Sequence, residues 1–294
     1  MTQNTIFRLL VFFIGIPLLA ASALLLPQAG LPAFAFLAIA ASALGARETA
    51  RFFPEQTCSY RHSWLVIPLM GALVPGAGYS AHWLPGDCSP SFAVVGVIIL
   101  GLSLVMAIQV FRSHHGDFSG IIPSITTHTF VLLYPGLFLW HALRLTELPH
   151  PSHLVVLFLL CTYLNDSAAW FFGRLLGKIT TPAGAAPPVA ISPNKSVAGF
   201  VGGFCTTPAV VVVAGLVFPE ILPGSIFAHI AFGAIIGVAT ILGDLVESAM
   251  KRSAEIKDSG QLIPGRGGLL DSIDSPIFAA PFFYYGYVLF FLVP

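Results

Sequence analysis

Acids and bases cluster near the end of this sequence at spacings that suit phosphate chemistry. Asp244, Ser248 and Lys251 recur at i, i+4 and i+7, which places them on one helix face. Arg252, Lys257 and Asp258 follow. Then comes Pro264-Gly265-Arg266-Gly267-Gly268-Leu269-Leu270-Asp271-Ser272-Ile273-Asp274, in which Asp271 and Asp274 share a second face at i, i+3. Several carboxylates beside several cations make physical sense around Mg²⁺ and a polyphosphate. Hard oxygens hold the metal, and Lys and Arg neutralise the phosphates. A glycine-rich turn brings backbone N–H groups close to an anion. The competing reading is a solvated loop, since loops collect charge, but the ordered spacings favour a site.

Two weaker clusters lie upstream. Asn165-Asp166-Ser167 falls inside an apolar run, with Arg174 and Lys178 further along the same helical ladder. An acid in hydrocarbon costs several kcal/mol unless paired or hydrated. Either Asp166 lines a polar site, or Asn165 and Ser167 make packing hydrogen bonds around it. Ser192-Pro193-Asn194-Lys195-Ser196 precedes Gly199, Gly202 and Gly203 at a helix start. Hydroxyls, a lysine and open N–H groups there suit a phosphate, but the pattern is also an ordinary passage from loop to helix.

The elements that position these residues are set by composition. Of 294 residues, 56% are hydrophobic and 9% charged, against roughly 25% charged in a soluble domain. Lipid must cover what polar side chains cannot. We expect an all-α, polytopic membrane protein with about nine transmembrane helices, near 7–26, 31–46, 63–80, 91–111, 119–143, 152–173, 199–218, 225–246 and 276–293. The first is read as a retained helix rather than a signal peptide. With the N-terminus cytoplasmic, twelve of the thirteen Lys and Arg fall inside and only Arg144 outside. The chain divides into residues 1–150, with five spans, and 151–294, with four spans and most of the acids. Zero net charge gives no reason to expect a nucleic acid partner. The four scattered cysteines read as buried free thiols, and His128, His141 and His229 as packed rather than ligating.

Ser248-x-x-Lys251-Arg252, Lys257-Asp258 and Pro264-Gly265-Arg266-Gly267-Gly268-x-x-Asp271-Ser272-x-Asp274 together resemble the signature of the phosphatidate cytidylyltransferase (CDP-diacylglycerol synthase) family. Asn165-Asp166 to Gly173-Arg174, and Ser192-Pro193-x-Lys195-Ser196, are similar to family segments in the same order. The likeness covers about residues 150 to 294. It implies transfer of CMP from CTP to phosphatidate, releasing pyrophosphate, in the bacterial inner membrane with the site facing the cytoplasm. Asp244 and Asp271 would be the main metal ligands, supported by Asp274 and Asp258. Lys251, Arg252 and Lys257 would meet phosphates. Ser192 and Lys195 would hold nucleotide or lipid phosphate, with Asp166 lining the cavity. Ser196, Ser248, Arg266, Gly267 and Gly268 complete the expected substrate contacts. The resemblance implies Mg²⁺ and admits a second, monovalent cation; it admits a homodimer as well.

Three positions depart from the family pattern: Arg266 replaces the usual His, Ser272 an Arg, and Ala198 a Glu. The first two changes are expected to offset each other, since one guanidinium is lost and one gained six residues away. The alternatives are a CTP-dependent lipid kinase, a related nucleotidyltransferase with another substrate, or an ion-coupled transporter using Asp166 and Asp244. Charges gathered at one face argue against transport.

Overall fold

The computed structural model describes residues 16–25, 30–53, 60–81, 89–112, 118–181, 186–263 and 267–293. Among these all regular structure is helical, apart from one isolated bridge between Ile263 and Gly267. The helices are α1 (Ile16–Leu24), α2 (Pro32–Thr49, with a tighter turn to Phe52), α3 (Tyr60–Ser80) and α4 (Pro90–Arg112). A broken span follows: α5 (Ile121–Val131), a widened turn at Leu132–Leu137 around Pro135, and α6 (Phe138–Arg144). The last four are α7 (Pro151–Thr180), α8 (Val197–Val217), α9 (Ile226–Ser253) and α10 (Leu270–Tyr287).

Seven helical stretches among the described residues are long and apolar enough to cross a membrane, and Leu65–Ser80 is a shorter apolar one. The expected count of nine is not confirmed. Half of the first expected span lies outside the described residues, and the one at 63–80 falls on a helix that carries Pro68 and Pro75 within it. Several helices outrun their apolar stretches. At about 1.5 Å per residue, the 30 residues of α7 extend about 45 Å, half as long again as the hydrocarbon core. α9 likewise continues to Ser253, and α10 begins at Leu270. Asp244 to Arg252, and Asp271 with Asp274, therefore stand on helix ends, while Lys195, Lys257 and Asp258 lie in the connections between helices.

Close approach between α7 and α8 comes from small residues. A Cβ at Gly199 would sit 2.8 Å from Ala169 O, and one at Gly203 2.9 Å from Asn165 Oδ1. Asn165 Nδ2 donates to Gly203 O (3.0 Å) and Thr207 Oγ1 (2.9 Å) on α8, so it cross-links the two helices. Ser167 instead donates to Tyr163 O on its own helix. The packing reading thus holds for Asn165 but not for Ser167.

Phe158, Phe232 and Phe283 tie α7, α9 and α10 together edge to face, with ring centroids 5.2–5.4 Å apart. Residues from both portions of the chain join this core, including Leu31, Phe34, Leu132 and Trp140. By contrast, only 11% of the most apolar window of α4 is buried, as suits a lipid-facing helix. Cys161 is a buried free thiol as expected, whereas Cys205 is exposed on the outer side of α8. His128, His141 and His229 are buried and bonded to the carbonyls of Ser124, Leu137 and Leu222.

Candidate active site

The C-terminal ends of α7 and α9 and the N-terminal ends of α8 and α10 meet around a cavity of about 480 Å³. Asp166, Lys195, Ser196, Asp244, Asp271 and Asp274 all line it. Lys195 forms an ion pair with Asp244, and its ammonium lies 5.6 Å from the Phe200 ring. Asp274 is 7% exposed and accepts from the Ser275 N–H at 2.8 Å. Around it stand the charges of Glu247, Asp244 and Asp166. The Ser275 hydroxyl donates to Asp166 Oδ1 at 3.3 Å. Trp170 and Arg174 form one rim, with the guanidinium 5.5 Å from the indole.

Lys251 sits behind this wall. It pairs with Glu247, one turn earlier on α9, and with Asp271 Oδ1 at 2.6 Å. The Glu247 side chain is fully buried, and its Oε1 has no hydrogen-bond partner among the described residues. Glu247 was missed from sequence although the i, i+4 spacing to Lys251 was visible. Lys251, expected to meet phosphate, is instead committed to two carboxylates.

The glycine turn also differs from expectation. Gly267 N–H donates to Ile263 O at 3.0 Å, and Gly268 N–H to Asp271 Oδ2 at 2.7 Å. The next two amides, Leu269 and Leu270, donate to Glu48 at 3.1 and 2.7 Å. All four donors are turned inward onto protein, not presented to the cavity. Gly267 has φ 113°, a backbone conformation that favours glycine. Gly268 and Gly260 are needed for another reason, because a Cβ at either would overlap the Glu48 carboxylate.

At the start of α8 the first amides are similarly occupied. Val197 and Ala198 donate to Thr181 and Thr180, and Gly199 to the capping Ser196 hydroxyl. This is the ordinary helix start, and Lys195 is the charge it contributes to the cavity.

Other expected residues stand apart from the cavity wall. Ser192 lies in the turn before α8, where its carbonyl accepts from Lys195 N. The Ser248 hydroxyl is 3.5 Å from Asp244 Oδ1, behind the wall. Arg252 is exposed in the last turn of α9, Lys257 and Asp258 are exposed beyond it, and Arg266 lies outside the described residues. Ser272 is 6% exposed, with no hydrogen-bond partner for its hydroxyl among them.

The donor set has the right chemistry for a divalent cation. Asp166, Asp244, Asp271 and Asp274 offer hard oxygens to one space, and the orphaned Glu247 oxygen lies behind it. Yet among the described residues no three acids, histidines or cysteines are grouped so that they could hold one metal ion. Lysines occupy Asp244 and Asp271 instead.

The chain is similar to several known proteins. An uncharacterised protein of Escherichia coli K12, YnbB, is 37% identical over 176 residues, covering 58% of this chain and 56% of that protein. The phosphatidate cytidylyltransferase of Bacillus subtilis is 35% identical over 214 residues, covering 72% and 73%. That of a Synechocystis species is 40% identical over 129 residues, covering 44% and 41%. The match thus spans about half the length of some relatives and nearly three quarters of another. The profile of the Cytidylyltransferase family matches residues 6–290, so the likeness extends well before residue 150. With its acids and lysines on the last four helices, and that profile running nearly end to end, this chain belongs to the cytidylyltransferase family.

Proposed function

We propose that the protein is a phosphatidate cytidylyltransferase, transferring CMP from CTP to phosphatidate to give CDP-diacylglycerol and pyrophosphate. The observation that carries this reading is the charge-paired cavity between α7, α8, α9 and α10, in a chain matching the family profile over residues 6–290. A phosphate oxygen of the lipid attacks the α-phosphorus of CTP as the bond to the β-phosphate oxygen breaks, so pyrophosphate leaves. The protein's task is chiefly to position and neutralise these anions.

Lys195 and Arg174, on the cavity wall, would meet the phosphates. As Lys195 turns towards them, Asp244 is released. Asp244, Asp271 and Asp274, with Asp166 beside them, line the space that would take Mg²⁺. No three acids among the described residues are grouped to hold one ion as they stand, so they would have to draw together once Lys195 turns away. The ion would neutralise charge on the phosphates. Lys251 keeps Asp271 against α9, and the apolar flanks of the helices exclude bulk water. The site would face the cytoplasm of a bacterial inner membrane, as the distribution of Lys and Arg favours. Phosphatidate would then arrive laterally from the inner leaflet.

The family match does not favour the lipid kinase or transporter readings. Purified protein with labelled CTP, phosphatidate and Mg²⁺ should yield lipid-bound CMP and pyrophosphate, and chelation of Mg²⁺ should stop it. Phosphorylated lipid with CDP would instead make it a kinase.

A further inference from the structure

We infer that Glu48, on α2 in the first portion of the chain, is a positioning residue for Asp271; this rests on the cytidylyltransferase reading above. Glu48 is 6% exposed. Its Oε1 accepts from Leu269 N at 3.1 Å and its Oε2 from Leu270 N at 2.7 Å, across more than 220 residues of sequence. These amides open α10, whose own N-cap, Leu269, offers no side-chain acceptor. A carboxylate at that place satisfies donors that a helix start leaves unpaired and complements its positive end.

The same carboxylate reaches Asp271 through one intermediary. The Ser259 hydroxyl lies 3.1 Å from Glu48 Oε2 and 2.8 Å from Asp271 Oδ2. It has one hydrogen for two acceptors, so the position of that hydrogen couples the two acids. Ser259 N–H also donates to Asp271 Oδ2 at 2.9 Å, and Arg51 Nη1 donates to Ser259 O at 3.3 Å. α2 thus grips residues 259 and 269–270, on either side of the glycine turn, with Glu48 and Arg51. Gly260 and Gly268 leave room for this grip. The carboxylate of Asp271 is fixed at Oδ2 by this framework and at Oδ1 by Lys251, so its place on the cavity wall is set from both sides.

The test uses the full chain in detergent. Glu48→Ala should lower kcat about 10- to 100-fold and raise the Mg²⁺ concentration for half-activity, with the phosphatidate KM little changed. Glu48→Gln, which keeps one acceptor, should fall between Glu48→Ala and wild type, and it serves if the alanine variant does not fold. Amide exchange at Leu269 and Leu270 should accelerate in both variants while the core of α7 stays protected. Gly260→Ala should be harmful in wild type and much less so beside Glu48→Ala. Wild-type kcat and Mg²⁺ dependence per folded molecule, with only a lowered Tm, would overturn the positioning role and leave a mere helix cap. If wild-type protein transfers no CMP, the reaction fails; unchanged amide exchange would then overturn the tether too, and faster exchange would support it.

Discussion

Lys251 holds two carboxylates at once, so replacing it leaves both without their cation. Its side chain is 14% exposed and that of Glu247 is fully buried. Lys251→Met should destabilise the protein by about 3–5 kcal/mol, because Glu247 is left as an uncompensated buried charge. Pairing it with Glu247→Met should recover part of that loss, read as Tm in detergent. Asp271→Asn should bring CMP transfer down to background. It sets an amide NH2 among four donors, at a further cost of about 2 kcal/mol. Much of this was visible as residue type and spacing: the Asp244–Ser248–Lys251 ladder does stand on one helix. Partner choice was not visible. Nothing in local spacing shows that Lys251 turns back to Glu247 and across to Asp271, or that Glu48 reaches a turn more than 200 residues away. The glycines were legible as close-approach positions. What approaches them is a carboxylate of the protein itself.

Helix crossings set how the cavity is held open. Gly199→Ala would push a methyl group against the backbone of α7 and should cost about 1–3 kcal/mol. Gly96→Ala on α4 meets nothing within 4 Å and should be neutral or stabilise by about 0.5–1 kcal/mol. Thermal unfolding of the two variants side by side measures the contrast; equal effects would mean that the α7–α8 crossing is not tight. Element existence was legible because apolar runs announce helices. Ends were less so: hydropathy stops where lipid stops, whereas α7, α9 and α10 gain hydrogen bonds for a turn or more beyond it.

At the scale of the whole molecule, the base expected on the outer side is held by its neighbours. Arg144 lies 3.2 Å from Glu147 and over the rings of Trp140 and Tyr284 at 5.2 and 4.4 Å. Arg144→Ala should lower stability by about 1 kcal/mol and leave CMP transfer unchanged. A loss of transfer would tie the far end of the molecule to the reaction. The division of the chain at residue 150 was drawn from where the acids lie, and the role of the first portion could not be read from it. Arg51 and Glu48 look like routine flanking charge until the fold brings them to Ser259 and to the start of α10. One further consequence concerns the order of synthesis. α9 carries Asp244 and Glu247 together with Lys251 and Arg252, so it leaves the ribosome with its charges balanced on a single segment. α10 brings Asp271 and Asp274 with no base of its own. It emerges after Glu48, Lys195 and Lys251 have all been made. Asp271 can therefore be received on arrival by a lysine already in place.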